Sequence, residues 1–271
     1  GYYSRARNLH HTAQFIDQSL NGVFPNEYAD LIQLKGIGDY TASAILSICF
    51  EKPHATVDGN VYRVLSRYFG ISTAINSPKG VKEFKKLAQL TLDHQNPGTH
   101  NQAIMEFGAI VCKPKNPDCS TCPLNNSCYA LQNDMRKVLP GKINKIKVKN
   151  RFFNFLVVEN GEQTVIIQRK GKDIWKNLFE FPLYESCSEI NAEYLMNTDE
   201  FQELIGDLKF KLIKFNKDKI VHKLTHQNLH TTFWVINIES KLKDAVLWEN
   251  ISNFAVPTLI QNFIDKYRIT T

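Results

Sequence analysis

Four cysteines stand close together in the chain at the spacing C-x6-C-x2-C-x5-C: Cys112, Cys119, Cys122 and Cys128. Four thiolates in one short loop would repel one another, so the spacing indicates a bound metal centre. An iron–sulfur cluster is the best candidate, and it could either transfer electrons or hold the loop in shape. Zinc is the weaker alternative, because its sites usually contain two C-x2-C pairs or a mixture of Cys and His.

A second candidate site is the turn L-K-G-I-G-D-Y-T at residues 34–41. Gly36 and Gly38 flank Ile37, and two glycines let backbone N–H groups face outward beside the N-terminus of the next helix. Such a turn can bind a phosphate through hydrogen bonds and the helix dipole, without reading the base. For G-x-G alone a simple tight turn would be the better explanation, but the wider sequence resembles a helix-hairpin-helix DNA-binding motif.

A carboxylate with two possible roles occurs in T-V-D-G-N-V-Y-R-V, residues 56–64. Asp58 stands where a helix should begin, and aspartate is a favoured N-cap residue. Capping is therefore predicted whether or not Asp58 also takes part in chemistry.

The elements that carry these residues are predicted from hydrophobic periodicity. Apolar residues recur at helical spacing in the first half, which predicts helices at 5–20, 26–34 (capped by Asn26), 41–50, 57–69, 82–92 and 101–111, and no strand. Residues 136–150 are Lys-rich with a Pro-Gly pair, which predicts a linker. Beyond it the period shifts toward two, which predicts strands at 152–158, 164–168, 209–215, 219–224 and 231–238, with helices at 189–204 and 258–267.

Composition limits the class of protein. The 271 residues are 43% hydrophobic and 22% charged, typical of a globular protein with two domains, and contain neither a membrane-length apolar run nor a signal peptide. The other two cysteines, Cys49 and Cys187, are predicted to be buried free thiols. A thiol-rich chain of this kind is expected in a reducing, cytoplasmic setting, associated with the nucleoid if the source is bacterial.

The net charge of +6 is concentrated in the first half. Residues 1–150 hold 18 Lys and Arg against 11 Asp and Glu, whereas the remainder holds 15 against 16. A basic half suggests a polyanionic partner, nucleic acid first, although a solvated basic surface is nearly as good an explanation.

Four segments, in this order and spacing, closely resemble the adenine DNA glycosylases of the MutY family: G-Y-Y-S-R-A-R-N-L, L-K-G-I-G-D-Y-T-A-S-A-I, V-D-G-N-V-Y-R-V and the cysteine quartet. The resemblance covers residues 1–135. It implies a multi-domain protein that begins with an all-α helix-hairpin-helix/Gly-Pro-Asp glycosylase domain, with the hairpin at 31–50. It also implies a structural [4Fe–4S] cluster on the loop 112–128.

The resemblance also implies roles for single residues. Asp58 matches the catalytic aspartate, and a carboxylate suits the cation that forms on the sugar when an N-glycosidic bond breaks. Tyr40 is implied to lie near the flipped-out nucleotide, with Asn60 supporting the site and Tyr2 wedged into the base stack. Related endonuclease III-type enzymes have V-D-T-H in place of V-D-G-N and a lysine at position 40, which forms a Schiff base. A monofunctional glycosylase that leaves an abasic site is therefore implied.

The implied partner is double-stranded DNA with adenine opposite 8-oxoguanine or guanine, bound by a monomer. The DNA contacts implied by the resemblance and by the phosphate chemistry of the hairpin are Gly36, Ile37, Gly38, Thr41, Lys113 and Lys115.

Residues 151–271 resemble, more faintly, the Nudix-like α+β domain at the C-terminal end of the same family. D-I-W-K-N-L-F-E-F-P at 173–182 matches its W-x-x-L-x-x-F-P signature. Only scattered glutamates follow, at 185, 189 and 193, so pyrophosphatase activity is not expected. The family recognises 8-oxoguanine through a Phe-Ser-His loop. Its equivalent here is Leu224-Thr225-His226, which keeps the hydroxyl and the imidazole, although an ordinary β-hairpin turn would read the same way.

The chain begins with Gly1-Tyr2-Tyr3 and no methionine, in what reads as the middle of a motif, so we expect a fragment. The family's general-acid glutamate is implied to lie upstream, and we expect the chain as given to be nearly inactive in excision. Three alternatives to adenine excision stay open: an endonuclease III-like lyase, a lesion-binding module without chemistry, and iron–sulfur electron transfer.

Overall fold

A computed structural model describes residues 2–143 and 148–270. The chain divides into two units, Tyr2–Lys145 and Ile146–Thr271. No helix in the described residues is long and apolar enough to cross a membrane.

The first unit is helical, and residues 2–143 contain no strand, which confirms the prediction. Its helices are α1 (Tyr3–Ser19), α2 (Tyr28–Leu31), α3 (Asp39–Cys49), α4 (Gly59–Phe69), α5 (Pro78–Thr91), α6 (Pro97–Ile110) and α7 (Tyr129–Gln132), with a 3₁₀ turn at Asn125–Ser127. Helices α5 and α6 begin four residues earlier than predicted because each has proline in its first turn, where a missing N–H costs nothing.

Two details of the helical prediction were wrong. Asn26 does not cap α2, since the N-cap residue is Glu27 and it makes no side-chain cap hydrogen bond. Cys49 is exposed rather than buried, because it is the last residue of α3 and the buried positions of that helix are Ala42, Ser43, Leu46 and Ser47.

Two clusters of buried side chains hold the elements that carry the candidate site. Leu31 and Leu34 pack with Ala42 and Leu46 inside the α2–α3 hairpin. Val61, Leu65, Phe84, Ala88 and Leu92 join α4 to α5. Part of the predicted linker is also structured: Leu139 is buried and its carbonyl accepts a hydrogen bond from Arg67. Residues 144–147 of that linker lie outside the described residues.

The second unit has a seven-stranded mixed sheet whose central pair, β1 (Lys149–Glu159) and β8 (Gln227–Ile238), is parallel. The other strands of this sheet are β2 (Gln163–Thr164), β5 (Leu183–Ser186), β6 (Phe210–Lys214), β7 (Ile220–Lys223) and β9 (Val246–Leu247), while β3 (Ile167–Gln168) and β4 (Phe179–Glu180) form a separate pair. The predicted fold class, a helical domain followed by an α+β domain, is confirmed.

Alternation along β1 and β8 gives the sheet two apolar faces. One face packs Leu156, Trp234 and Ile236 with Leu195 and Phe201 from helices α8 (Ala192–Met196) and α9 (Asp199–Ile205). The other face stacks Phe233 on Phe263 of α10 (Thr258–Thr270), with ring centroids 4.2 Å apart. Cys187 was predicted to be buried, but it follows the short strand β5 in a connecting segment and is exposed.

Candidate DNA-binding and excision site

The α2–α3 hairpin has the geometry that the glycine pattern requires. Gly36 has φ of +86°, and a Cβ there would stand 2.7 Å from the Cβ of Asn8, so only glycine fits. The buried hydroxyl of Thr12, on α1, donates to the carbonyl of Lys35 at 2.8 Å and fixes the turn from behind. Gly38 is the N-cap of α3 and offers no side chain to the first N–H groups, which are left for another acceptor.

A small charged network stands at the same helix end. The phenol of Tyr28 donates to Asp39 Oδ1 at 2.5 Å, and Lys85 of α5 forms an ion pair with the same carboxylate. Partial burial acts to raise the pKa of Asp39, but the hydrogen bonds from Lys85 and Tyr28 outweigh it and lower that pKa below its usual value. The carboxylate at the hairpin is thus matched by a positive charge.

Asp58 caps α4, as predicted, and its carboxylate is held by three donors. Oδ1 accepts from the backbone N–H groups of Asn60 and Val61, each at 2.8 Å. Oδ2 accepts from the side-chain amide of Asn60 at 3.1 Å. The side chain is half-buried, so its orientation is fixed while one side stays open.

Arg63 of α4, which is only 8% exposed, connects the surroundings of Asp58 to the cysteine loop. Its Nη2 donates to Asn60 Oδ1 at 2.8 Å and to the carbonyl of Gly108 at 2.6 Å. Its Nε donates to the carbonyl of Cys112 at 2.7 Å. One guanidinium therefore connects the aspartate's neighbour to the first cysteine of the quartet.

Helix α6 connects the hairpin to the segment before Asp58 through Asn101, which is almost fully buried. Its amide donates to Ser47 Oγ of α3 at 2.9 Å and to the carbonyl of His54 at 2.8 Å, and its oxygen accepts from the N–H of Thr56 at 3.1 Å. Sequence reasoning missed both Arg63 and Asn101. Neither residue stands out in the sequence, because α4 and α6 both carry other polar side chains.

The two tyrosines predicted for the site are exposed at the surface of the first unit. Tyr40 lies in the first turn of α3, 43% exposed, with its hydroxyl 3.4 Å from Met105 Sδ of α6. Tyr2 is 77% exposed, precedes α1 with φ of +63°, and has the guanidinium of Arg5 4.7 Å from its ring centroid. Thr41, beside Tyr40, is half-buried.

All four cysteines of the quartet are free thiols that line one cavity. Burial raises the pKa of the Cys122 thiol, a hydrogen bond from the backbone of Leu124 opposes this shift, and the other three thiols of the quartet add to it. Four thiols that line the same apolar cavity are the ligand type that an iron–sulfur group requires, although their arrangement is not that of a formed metal site. In residues 2–143 and 148–270 no three His, Cys, Asp or Glu side chains are arranged to hold a metal ion.

The cysteine loop is pinned by Arg67 of α4, which is 4% exposed. Its guanidinium donates to the carbonyls of Lys113 (2.7 Å), Pro114 (3.2 Å) and Arg136 (2.8 Å). The first two bonds hold the backbone between Cys112 and Cys119, and the third holds the segment after the last cysteine. The side chains of Lys113 and Lys115 are exposed on the held loop. Arg67 was also missed from sequence, where it reads as one more basic residue of an amphipathic helix.

In the second unit, Leu224-Thr225-His226 forms the turn between β7 and β8. The N–H of Leu224 donates to the carbonyl of Gln227 at 2.8 Å, and the side chains of Thr225 and His226 are exposed. The scattered glutamates are held by basic partners: Glu185 by Arg151 at 2.6 Å and Glu189 by Lys219 at 2.8 Å.

Three family models match this chain. A helix-hairpin-helix motif matches residues 19–48, an iron–sulfur binding domain of endonuclease III matches 112–128, and a NUDIX domain matches 154–266. A solved structure described as a thermostable thymine-DNA glycosylase is 31% identical over 48% of this chain and 59% of that one, with a TM-score of 0.44.

Two curated relatives match nearly the whole length of this chain. The adenine DNA glycosylase of Buchnera aphidicola subsp. Baizongia pistaciae is 33% identical over 99% of this chain and 75% of its own length. The adenine DNA glycosylase of Arabidopsis thaliana is 31% identical over 96% of this chain and 46% of its own. The matches show a base-excision repair glycosylase, a hydrolase of N-glycosyl bonds, with a helix-hairpin-helix motif and an iron–sulfur binding domain. The chain belongs to the adenine DNA glycosylase family.

Proposed function

We propose that this protein removes adenine opposite 8-oxoguanine or guanine from double-stranded DNA by hydrolysis, and leaves an abasic site. The observation that carries this proposal is the Asp58 carboxylate, which three donors orient at the open end of α4. Breaking the bond between adenine and deoxyribose develops positive charge on the sugar. A carboxylate fixed in advance stabilises that charge without having to reorganise during the reaction.

Asn60 positions Asp58 in this proposal. Its side-chain amide donates to Oδ2, while its backbone N–H donates to Oδ1, so the plane of the carboxylate is set by one residue. Oδ2 accepts only this one bond among those that involve the described residues, and it is the oxygen we assign to the sugar.

The reaction stops at base removal because of Tyr40. A phenol cannot form the Schiff base through which a lysine at the same place would cut the strand. Tyr40 is exposed on the first turn of α3 beside the hairpin, which suits contact with an extruded nucleotide rather than a role in the core.

Binding of the duplex is assigned to the hairpin and the cysteine loop. Gly36, Gly38 and Thr41 present backbone N–H groups at the N-terminus of α3, where a phosphate is favoured. Ile37 shapes the turn between them, because its N–H donates to the carbonyl of Leu34 at 3.1 Å. Lys113 and Lys115 add positive charge from an exposed loop whose backbone Arg67 holds in place. Tyr2, exposed and backed by Arg5, is assigned to the base stack. The protein acts as a monomer in this proposal.

We assign a [4Fe–4S] cluster to Cys112, Cys119, Cys122 and Cys128. Support comes from the match of residues 112–128 to the iron–sulfur domain and from the cavity that the four thiols share. A bound cluster cross-links the loop and can also exchange an electron. The chain's own contribution is to hold that loop through Arg63 and Arg67, so we assign the cluster a structural role.

Recognition of 8-oxoguanine is assigned to Thr225 and His226. Both side chains are exposed at the β7–β8 turn, where a hydroxyl and an imidazole can reach the edge of a base.

The test is a single-turnover assay with protein in excess over duplexes that carry adenine opposite 8-oxoguanine, guanine or thymine. Excess protein is needed because the 271-residue chain by itself is predicted to be nearly inactive. We expect adenine release opposite the first two bases, and strand breakage only after alkali. Breakage without alkali, trapped by borohydride, would support the lyase alternative. Selective binding with no release from any duplex would support a lesion-binding module.

A further inference from the structure

Positive charge in the second half is concentrated on one edge of its sheet. Strands β6 and β7, which pair one after the other with the same side of β8, carry six lysines between positions 209 and 223 against one acid, Asp218, although residues 151–271 as a whole hold fewer basic than acidic residues. Lysines on an edge strand discourage pairing with another chain, which explains Lys209 and Lys211. It does not explain the lysines farther along this edge.

Three of those lysines converge on one cavity. Lys214, Lys217 and Lys219 line a space of about 150 Å³ together with Asp218 of the same segment and with His230 and Thr232 of β8. The ring of His230 stacks on Phe152 of β1 with centroids 4.7 Å apart, which holds the imidazole at the wall of the cavity.

The loop that carries the lysines is held in one conformation by Asn216. Its amide donates to the carbonyls of Asp218 (3.1 Å) and Thr231 (3.2 Å), and its oxygen accepts from the N–H of Phe233 at 2.8 Å. A loop fixed at both ends to β8 loses little conformational freedom when a ligand binds, so the cavity is pre-organised.

The wall of the cavity also carries a carboxylate, and its pKa indicates a positive electrostatic potential in the cavity. Glu189 Oε1 lies 2.8 Å from Lys219 Nζ. That hydrogen bond, joined by the charges of Lys219, His230 and Lys214, lowers the pKa of Glu189 despite some desolvation. Lys219, His230 and Lys214 therefore all act on the carboxylate of Glu189, which is an anion at the wall of the cavity.

We propose that this cavity binds a phosphoryl group, supplied by the backbone of a DNA strand. Lysine ammonium groups bind phosphate oxygens as point charges, and a threonine hydroxyl and an imidazole can add hydrogen bonds. The choice of DNA over a free phosphate compound rests on the proposed lesion contact at Thr225 and His226. Strand β7 joins the cavity to that turn in four residues, about 13 Å at roughly 3.3 Å per residue.

The salt dependence of duplex binding tests the site in the whole chain. An undamaged duplex is titrated by fluorescence anisotropy at several salt concentrations, with the double variant Lys217→Met/Lys219→Met. Loss of one phosphate contact should reduce the slope of log K against log salt by about 0.9. Lys209→Met/Lys211→Met removes the same charge from the same sheet edge outside the cavity, and should leave the slope unchanged. Equal reductions in both variants would overturn the cavity as the site.

Inorganic phosphate separates the two sources of the ligand. In ¹⁵N-labelled protein we expect phosphate to shift the amide signals of residues 230–232, and the Lys217→Met/Lys219→Met variant to abolish the shifts. Phosphate shifts combined with an unchanged DNA slope would identify a free phosphate compound as the ligand. Absence of both the phosphate shifts and the change in slope would overturn the proposal. Adenine release and strand breakage are assayed on the same proteins in single turnover, and strand breakage without alkali would contradict the proposed function without bearing on the phosphate site.

Discussion

Arg63 Nη2 donates to Asn60 Oδ1 at 2.8 Å, and this one hydrogen bond decides which way the Asn60 amide faces. Because the oxygen of the amide is taken by the guanidinium, its nitrogen must face Asp58, where it donates to Oδ2 at 3.1 Å. Arg63 also holds the carbonyl of Cys112, so the orientation of the carboxylate depends on the position of the cysteine loop. Two of the predicted catalytic residues, Asp58 and Asn60, are therefore connected through Arg63 to the backbone of the first predicted metal ligand, Cys112.

The first prediction tests the donor on Asn60. Asn60→Asp keeps an acceptor of the same shape for Arg63 but replaces the donor to Asp58 by a like charge. Hydrogen bonds to charged groups contribute about 1.5–3 kcal/mol. We therefore expect single-turnover excision to fall about ten- to hundredfold, with little change in the melting temperature. An unchanged rate would show that the Asn60 amide does not position Asp58.

The second prediction separates capping from chemistry at Asp58. Asparagine caps a helix about as well as aspartate, so Asp58→Asn should keep α4 intact and leave the melting temperature and duplex affinity nearly unchanged. It removes the negative charge, so excision should be lost. Asp58→Ala serves as the comparison, since it should lose excision and also about 1 kcal/mol of stability. Wild-type excision by Asp58→Asn would remove the residue from the mechanism.

The site was predictable where a residue type leaves few choices. Gly36 must be glycine because of its positive φ and the nearby Asn8, and the role of Asp58 as a cap follows from its place before a helix. Arg63, Arg67 and Asn101 could not be assigned, because their partners are mainly backbone carbonyls brought together only by folding. The positions of backbone carbonyls in the folded protein cannot be deduced from the sequence.

The third prediction concerns the buried ion pairs of the second unit. Hydrogen bonds from Arg151 lower the pKa of Glu185, and they also lower that of Asp173 although burial opposes the shift. A carboxyl whose pKa is lower in the folded state stabilises the fold above its ordinary pKa, near 4, and loses that contribution as the pH falls. The unfolding free energy should therefore decrease from about pH 5 downward. Glu180, whose pKa burial raises, acts in the opposite sense.

Tryptophan fluorescence during urea unfolding measures this effect, because all three tryptophans, Trp175, Trp234 and Trp248, lie in the second unit. Asp173→Asn should be less stable than the unaltered protein at pH 6 and should lose less stability on acidification. Parallel curves for the two proteins would show that Asp173 does not contribute to the pH dependence.

The fold of the second unit was less predictable than that of the first. Strands β4, β5 and β9 are two to four residues long and too short to show alternation, and the predicted strand at 164–168 divides into β2 and β3 in different sheets. The long strands β1 and β8 were found because residues 152–158 and 231–238 are rich in apolar residues, but their polar first residues were missed, so both were predicted too short. Short strands are specified by their partners in the sheet, which periodicity does not reveal.

The fourth prediction addresses the cluster. The purified protein should contain four iron and four sulfide per chain if the quartet holds [4Fe–4S]. Cys119→Ala should lose iron and weaken duplex binding, because the loop that carries Lys113 and Lys115 loses its cross-link. Cys49→Ala is the matched control, since that thiol is exposed outside the loop and should keep both properties. Iron loss without any change in duplex affinity would contradict the structural role.

The last prediction concerns the choice between 8-oxoguanine and guanine. Thr225→Ala/His226→Ala removes two exposed side chains from the β7–β8 turn, so the fold should be unaffected. Excision opposite 8-oxoguanine should fall while excision opposite guanine stays nearly constant, because only the oxidised base offers the extra contacts. Each lost hydrogen bond contributes about 0.5–1.5 kcal/mol, so the ratio of the two rates should drop about five- to hundredfold. Glu162→Ala, in an exposed turn elsewhere in the same unit, should leave the ratio unchanged. If the double variant also leaves it unchanged, recognition of the oxidised base belongs to other residues.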